Sequence, residues 1–217
     1  MSLLQKISPY SSQLSSRRRQ AILRSRTSLT LARSFASLGS ADVARTGRSS
    51  NPSPFKYWSV DPATGRAQRP IFVAATRQHV GKTTVSLALM SGLSKRFKKV
   101  GFLKPVGQQH VDVKDSSNQP LRVDKDVVLV REHFHLDHID YRHMSPVIIP
   151  SGYTRRYVDG EIDFEDQLQQ VHTAMEHVNS RSDVVLIEGT GHCAVGSIVG
   201  LNNAKVASQF GADMVLM

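Results

Sequence analysis

Apolar runs and helically spaced apolar residues alternate along the chain from about residue 70 onwards. The predicted strands are residues 71–75, 99–103, 184–187 and 214–217. Helical spacing predicts one helix after the first of these strands and others over residues 124–134, 164–179 and about 203–210. Continuous apolar runs are typical of parallel strands that helices cover on both faces. The pattern therefore predicts an α/β fold with a doubly wound, mostly parallel sheet that binds ligands at the carboxyl ends of its strands.

The loop after the first predicted strand ends in Gly81-Lys82-Thr83, at the start of a helix. A glycine there lets backbone N–H groups curl around a polyphosphate, the lysine adds a positive charge, and the threonine hydroxyl can ligate Mg²⁺. The usual motif of this kind begins with a glycine where this chain has Thr76. The sequence thus predicts a phosphate-binding loop of the P-loop NTPase type. The loop residues expected to contact a nucleotide are Thr76, Arg77, Val80, Gly81, Lys82, Thr83 and Thr84.

Two polar residues follow predicted strands directly, namely Lys104 and Glu188. Because the carboxyl ends of parallel strands share one edge of a sheet, both should lie near the phosphate-binding loop. Glu188 could hold Mg²⁺ directly or through water, and Lys104 could stabilise charge on a transferred phosphate or a substrate carboxylate. Gly189 would allow the backbone to approach a ligand closely. A solvated acid at a strand end and a surface lysine before a loop remain the alternatives.

The basic charge of the chain is concentrated in its first fifty residues. The 217 residues carry a formal net charge of +10, and residues 1–50 contribute +8 of it through nine Lys or Arg against the single acid Asp42. A Ser-rich and Arg-rich segment with few acids is typical of an organellar transit peptide, expected to be disordered. We therefore predict import into the mitochondrion, with the plastid as the alternative. A basic arm for nucleic acid and a misassigned start codon are competing interpretations.

The rest of the chain divides into a linker and one domain. Residues 51–69 contain three Pro residues and Gly65 and are predicted to be a linker, followed by a domain over residues 70–217. With the leader removed the charge is nearly balanced, so we expect no nucleic-acid partner. No apolar run is long enough to span a bilayer, so we expect no membrane association after import. The single cysteine, Cys193, excludes an internal disulfide, and the histidines around residues 133–143 are interpreted as a solvated helix end.

Three segments occur in a fixed order: Ala75-Thr76-x-x-x-Val80-Gly81-Lys82-Thr83, Lys104-Pro105-Val106 and Glu188-Gly189-Thr190-Gly191. Together they resemble the successive motifs of dethiobiotin synthetase and its relatives. These relatives include stand-alone ATPases and the dethiobiotin synthetase-like N-terminal domain of some phosphotransacetylases. The resemblance covers residues 70–217, and it implies a fold that requires ATP and Mg²⁺.

The resemblance also implies roles for individual residues. Lys82 would contact the phosphates, Thr83 and Glu188 would bind the metal, and Lys104 would face the reacting phosphate and the substrate. The family places a further metal-binding acid early in the helix after the second strand. Asp126 is the candidate for that acid, with Asp124 as its near alternative.

Three loop residues depart from the dethiobiotin synthetase pattern. Ala75 replaces a glycine, whereas Arg77 and His79 replace two acids. The exchange makes the loop about three charge units more positive, which is enough to alter the substrate that is tolerated there. Arg77 also stands where related ATPases of the MinD group carry a second loop lysine. It could therefore contact phosphate across a homodimer, and simple solvent exposure is the alternative.

The expected function is that of a P-loop NTPase that binds ATP and Mg²⁺, with Lys82 and Lys104 as catalytic residues. An ATP-dependent ligase acting on a small carboxylate or amine is the specific activity that this expectation includes. The alternative is a nucleotide-sensing regulatory module with little turnover, so the assignment as an enzyme stays open. The family fold continues past the last predicted strand of this chain. We therefore also expect the sequence to be a fragment, truncated at its C-terminus, with an exposed sheet edge that favours aggregation.

Overall fold

The computed structural model describes residues 54–61, 65, 67–191 and 193–217. The predicted transit peptide, residues 1–50, lies outside the described residues. The strands are β1 Ser59–Val60, β2 Ala67–Gln68, β3 Ile71–Ala74, β4 Val100–Leu103, β5 Val106–Gly107, β6 His110–Lys114, β7 Pro120–Asp124, β8 Val147–Ile148, β9 Val184–Glu188 and β10 Asp213–Leu216. The helices are α1 Lys82–Ser94, α2 Lys125–Phe134, α3 Tyr141–Met144, α4 Tyr153–Val158, α5 Phe164–Asn179, α6 Cys193–Ile198 and α7 Asn203–Phe210, preceded by a 3₁₀ turn at Pro54–Tyr57.

Four parallel strands form the central sheet in the order β10-β3-β9-β4. Phe72 of β3 pairs with Ile187 of β9 on one side and with Met214 of β10 on the other. The chain runs from β3 through α1 to β4, and β9 later enters between these two strands. The carboxyl ends of β3, β9 and β4 therefore lie side by side. The predicted α/β fold with a mostly parallel sheet is confirmed.

The core consists of the apolar strands and the inner faces of the helices that cover them. Every residue of β4 and β9 is buried, as their continuous apolar sequences indicate for strands covered on both faces. The buried apolar face of α5 carries Leu168, Val171, Ala174, Met175 and Val178 at helical spacing. The bounds of this helix match the predicted residues 164–179.

Part of the segment predicted to be a linker packs onto the domain. Tyr57, in the 3₁₀ turn, is only 1% exposed. Its hydroxyl lies 3.0 Å from His172 Nδ1, and its ring meets Phe210 edge to face with the centroids 5.3 Å apart. Aromatic residues clustered at positions 55–58 of a Pro-rich stretch form no periodic pattern that predicts such packing. The segment before residue 70 thus contributes to the core through Tyr57.

An antiparallel hairpin, β6–β7, leads from the region after β4 into α2, and no strand was predicted there. Val111 pairs with Val123 across the hairpin, and most of its side chains are exposed. Asp115 closes the turn by accepting hydrogen bonds from the N–H groups of Ser117 and Gln119, each at 2.9 Å. The strands contain no continuous apolar run, and the short alternation of Val111 with Val113 and of Leu121 with Val123 was the strand signal that the prediction missed.

The last strand, β10, is an edge strand with exposed apolar side chains. Met214, Val215 and Leu216 are 41%, 39% and 64% exposed. Aggregation through this strand stays a prediction. Among the described helices, none combines the length and apolar character needed to cross a membrane.

The histidines around residues 133–143 belong to no candidate metal-binding group among the described residues. His135 ends α2 in the left-handed conformation, with φ of 53°. His143 stacks on His177 of α5, with the ring centroids 3.5 Å apart. Cys193 is the first residue of α6, and its side chain lies outside the described residues.

Candidate functional site

The loop between β3 and α1 has the features that a phosphate group requires. Gly81 adopts φ of 91°, a left-handed conformation that glycine reaches without strain. It has no side chain to cap the first N–H groups of α1, so these donors are available to an anion at the helix N-terminus. Lys82 begins the helix with a buried side chain. The loop therefore offers backbone donors and a cation to the same ligand.

Lys104, at the end of β4, is surrounded by three carboxylates. Its Nζ lies 2.9 Å from Asp124 Oδ1 and 3.6 Å from Glu188 Oε1. It also forms an ion pair with Asp126. Glu188 Oε1 accepts a hydrogen bond from the Thr83 hydroxyl at 3.4 Å. The edge of the sheet thus brings together the predicted residues of the loop, β4, α2 and β9.

Burial and charge act in opposite directions on the ionisable groups of this cluster. Burial alone would lower the pKa of Lys104, but attraction to the surrounding carboxylates outweighs burial, so the pKa lies above its usual value. For Lys82, burial prevails over attraction to Glu188 and lowers the pKa. Burial raises the pKa of Glu188 even though Lys104 acts against it. Lys104 is therefore held in its charged form, whereas Lys82 and Glu188 would both gain from a further partner of opposite charge.

Thr83, Asp126 and Glu188 could hold a metal ion between the loop and the strand ends. Glu188 Oε2 is buried and makes no hydrogen bond of good geometry with the described residues, although the Ser86 hydroxyl is near enough to lower the pKa of Glu188. A cation would satisfy this oxygen. Within the described part of the chain, no group of three or more His, Cys, Asp or Glu could hold a metal by itself. Mg²⁺ is usually bound through one or two carboxylates together with substrate phosphates and water. The donor set therefore fits Mg²⁺ bound with a phosphate-bearing ligand.

A cavity of about 330 Å³ opens between the loop and the strand ends, within the size range of ligand sites. The predicted residues that line it are Gly81, Lys82, Thr83, Lys104, Asp126 and Glu188. The lining also includes residues that were not predicted to bind a ligand, among them Gln78, Gln108, Gln109 and Lys125. Gln108 and Gln109 follow Lys104-Pro105-Val106-Gly107 directly, and this adjacency was their one signal in the sequence.

Five residues predicted to bind the nucleotide lie outside the cavity lining. Thr76 donates its N–H to the Met217 carbonyl at 3.1 Å, Arg77 and Thr84 are exposed, and Val80 is half-buried. Nucleotide contacts from these four residues stay predictions.

The fifth of these residues, Gly189, packs closely against protein atoms. A Cβ at this position would lie 2.6 Å from Asn203 Oδ1 and 2.8 Å from Phe72 Cε1. Because Gly189 has no side chain, the end of β9 can lie in close contact with Asn203 at the start of α7. The neighbours of Gly189 are thus side chains of the core, and the close approach to a ligand predicted for this residue stays a prediction.

Comparison with known proteins agrees with this geometry. A family model described as an AAA domain matches residues 69–217. Over 149 residues, or 69% of this chain, the sequence is 30% identical to a phosphate acetyltransferase of Deinococcus radiodurans. It is 27% identical over 147 residues, or 67% of the chain, to a phosphate acetyltransferase of Pseudomonas aeruginosa. The matched part spans about a fifth of each relative, 19% of its length.

The matched residues extend from just before β3 to the end of the described chain, so they include the loop, all four strands of the central sheet and the lysine–carboxylate cluster. The resemblance inferred from the three sequence motifs is thereby confirmed. The chain belongs to the AAA domain family with the dethiobiotin synthetase-like P-loop fold, and it is homologous to the N-terminal domain of phosphate acetyltransferases.

Proposed function

We propose that the domain binds ATP together with Mg²⁺ in the cavity at the carboxyl ends of β3, β9 and β4. The observation that carries the proposal is the convergence of Lys82 and Thr83, at an uncapped helix N-terminus, with the buried carboxylate of Glu188. A polyphosphate needs backbone donors and cations, and its metal needs oxygen ligands beside them. The cavity offers both within one site.

In this proposal Lys82 and the first N–H groups of α1 bind the phosphates. Thr83, Asp126 and Glu188 hold the metal, which when bound neutralises phosphate charge and orients the terminal phosphoryl group. A polyphosphate would offset the burial that lowers the pKa of Lys82, and a cation would offset the burial that raises the pKa of Glu188. Ligand binding and the ionisation of these two residues would therefore favour each other.

The role that we favour for this nucleotide site is sensing, with little turnover. The relatives that share the domain are phosphate acetyltransferases, and the chain spans only about a fifth of their length. In those relatives the matched part is therefore one domain of a longer protein. This favours an accessory role in which the domain reports the nucleotide state to the rest of the protein. Arg77 and His79, where dethiobiotin synthetases carry acids, also favour a function other than dethiobiotin synthesis.

An ATP-dependent ligase acting on a small carboxylate or amine is the second candidate. The observation that favours it is the charged Lys104 in the wall of the cavity, next to Gln108 and Gln109. A fixed cation there could stabilise the charge that builds up on a carboxylate as it is phosphorylated. The glutamines would offer hydrogen bonds to the second substrate.

Calorimetric titration with ATP tests the nucleotide site. We expect ATP to bind in MgCl₂ and to bind at least about tenfold more weakly in EDTA, a difference of about 1.4 kcal/mol or more. Lys82→Ala should weaken binding by a similar factor. Lys98→Ala, which removes an exposed lysine beyond α1, is the matched control and should leave binding unchanged. Equal affinities for Lys82→Ala and the wild type would refute the proposed site.

Product analysis separates the two candidate roles. Sensing predicts MgATP binding with no ADP formation above background when small carboxylates and amines are added. A ligase predicts ADP formation that depends on one such substrate and disappears in Lys104→Ala.

A further inference from the structure

Asp124 differs from the other acids of the cluster because all its acceptor positions are occupied by the protein. Its Oδ1 accepts a hydrogen bond from the Asp126 N–H at 3.0 Å and contacts Lys104 Nζ at 2.9 Å. Its Oδ2 accepts hydrogen bonds from the N–H groups of Gln108 at 3.0 Å and Gln109 at 3.3 Å. A carboxylate offers about four lone-pair positions. None is therefore left for a metal ion.

We propose that Asp124 is a positioning residue that holds the Lys104 ammonium group at the cavity, and that it is not a metal ligand. The assignment itself rests on the geometry of the protein. Its consequence for ligand binding rests on the proposed function, because Lys104 affects MgATP only if MgATP binds there.

Asp124 also joins the segments of chain that supply the cavity wall. It ends β7 and caps the N-terminus of α2, and its own N–H donates to Ser145 Oγ at 3.0 Å. Gly107 packs so closely that a Cβ there would lie 2.8 Å from Asp124 Cβ. The Asp124 side chain is 1% exposed, and charge-assisted hydrogen bonds in such surroundings are among the strongest. Lys104 is thus tied to a rigid point rather than to a mobile side chain.

The three carboxylates around Lys104 divide into one fixed partner and two exchangeable ones. Asp126 is 14% exposed, and Glu188 keeps one buried oxygen that makes no hydrogen bond of good geometry with the described residues. These two acids can turn to a bound cation while Asp124 keeps Lys104 in place. Without Asp124, Lys104 would lose its fixed partner and would follow these two side chains away from its position at the cavity.

A double-mutant cycle tests whether Asp124 acts through Lys104. MgATP affinity is measured by calorimetry for the wild type, Asp124→Asn, Lys104→Met and the double variant. We expect Asp124→Asn to weaken binding at least about tenfold in the wild type and less than about twofold in the Lys104→Met background. Equal weakening in both backgrounds would overturn the proposal, because a purely structural residue acts whether or not Lys104 is present.

Titration with Mg²⁺ separates positioning from metal ligation. Asp126→Asn should weaken the Mg²⁺ dependence of ATP binding, whereas Asp124→Asn should leave that dependence within about twofold of the wild type. An equal loss in both variants would mean that Asp124 is a ligand, contrary to the proposal. If Asp124→Asn does not fold, Asp124→Ser replaces it, since serine retains an oxygen that can cap α2 but carries no charge.

Asp163→Asn is the matched control for the loss of a helix cap. Asp163 caps α5 by accepting hydrogen bonds from the N–H groups of Glu165 and Asp166, at 2.7 and 3.2 Å. It lies in no ion pair that the described residues show. Asp163→Asn should change MgATP affinity by less than about twofold. If Asp163→Asn weakened MgATP binding as much as Asp124→Asn does, loss of any helix cap would explain the effect, and the proposal would be overturned.

A readout without ligand keeps this inference distinct from the proposed function. If the wild type binds no ATP, the proposed function fails. The double-mutant cycle is then measured as the urea midpoints of unfolding of the same four proteins. Asp124→Asn should then lower the midpoint clearly in the wild type and much less in Lys104→Met. Additive effects of the two substitutions on the midpoint would overturn the positioning role.

Discussion

Replacement of Lys104 by methionine would leave three carboxylates facing one another without a cation. The Lys104 side chain is 9% exposed, those of Asp124 and Glu188 are 1% exposed, and that of Asp126 is 14% exposed. Loss of one partner from a buried ion pair typically costs about 3–5 kcal/mol. The carboxylates can take up protons and so reduce this cost, and we therefore expect a loss of about 3 kcal/mol in the free energy of unfolding near pH 8.

The loss should depend on pH and on Mg²⁺. Burial already raises the pKa of Glu188, and Lys104 is the main influence that lowers it. Without Lys104 the native state holds more protons than the unfolded state, so the stability of the variant falls as the pH rises through the raised pKa. A metal ion can replace the missing ammonium. At a free Mg²⁺ concentration of about a hundred times its Kd, it would restore about 2.7 kcal/mol.

Urea unfolding in EDTA and in MgCl₂ measures both effects. The midpoint of Lys104→Met should lie well below that of the wild type in EDTA, and Mg²⁺ should raise it more than it raises the wild-type midpoint. Lys98→Met, at an exposed position, should behave as the wild type in both buffers. Equal stability of Lys104→Met and the wild type in EDTA, or equal stabilisation of both proteins by Mg²⁺, would refute the proposed role of Lys104 in the cluster.

Three further predictions concern regions outside the cluster. Tyr57→Ala should lower the free energy of unfolding by about 3–5 kcal/mol, because it removes a buried ring from the core. A loss below about 1 kcal/mol would show that the packing of the 3₁₀ turn contributes little to stability. Burial lowers the pKa of both His143 and His177, so the unfolded state binds protons that the native state does not. Stability should therefore fall as the pH drops below about 6.5, and His177→Gln should flatten that dependence in urea titrations; an unchanged slope would contradict the prediction. We also propose that residues 1–50 direct import into mitochondria, so a fluorescent protein fused to them should colocalise with a mitochondrial stain; diffuse or nuclear fluorescence would count against it.

The central sheet was predictable because its strands are apolar on both faces. Covered parallel strands have a continuous apolar sequence, and α5 has a clear helical spacing of buried residues, so the boundaries of both were close to correct. The placement of Lys104 and Glu188 at one edge followed from the parallel arrangement alone, since carboxyl ends of such strands meet. No knowledge of side-chain contacts was needed for either conclusion.

The detailed contacts of the site could not be predicted in the same way. Asp124 accepts a hydrogen bond from Gln108 and donates one to Ser145 Oγ. These residues lie within about twenty positions of Asp124, but the geometry of the bonds depends on the hairpin β6–β7, whose short strands were not predicted. The choice of Asp126 over Asp124 as the metal-binding acid also depends on which lone pairs are free. Tyr57 joins the core through contacts with α5 and α7, far along the sequence. These contacts form only when the chain folds, and no local sequence pattern indicates them.

We propose that Lys82, Thr83, Asp126 and Glu188, which line one cavity, form a single site for MgATP. Calorimetric titration of Glu188→Gln with ATP, in MgCl₂ and in EDTA, tests it most directly, because this substitution keeps the size of the side chain and removes its charge. We predict that Mg²⁺ strengthens ATP binding to the wild type at least about tenfold and to Glu188→Gln by less than about twofold. ATP binding that responds equally to Mg²⁺ in both proteins, or no binding to the wild type, would contradict the claim.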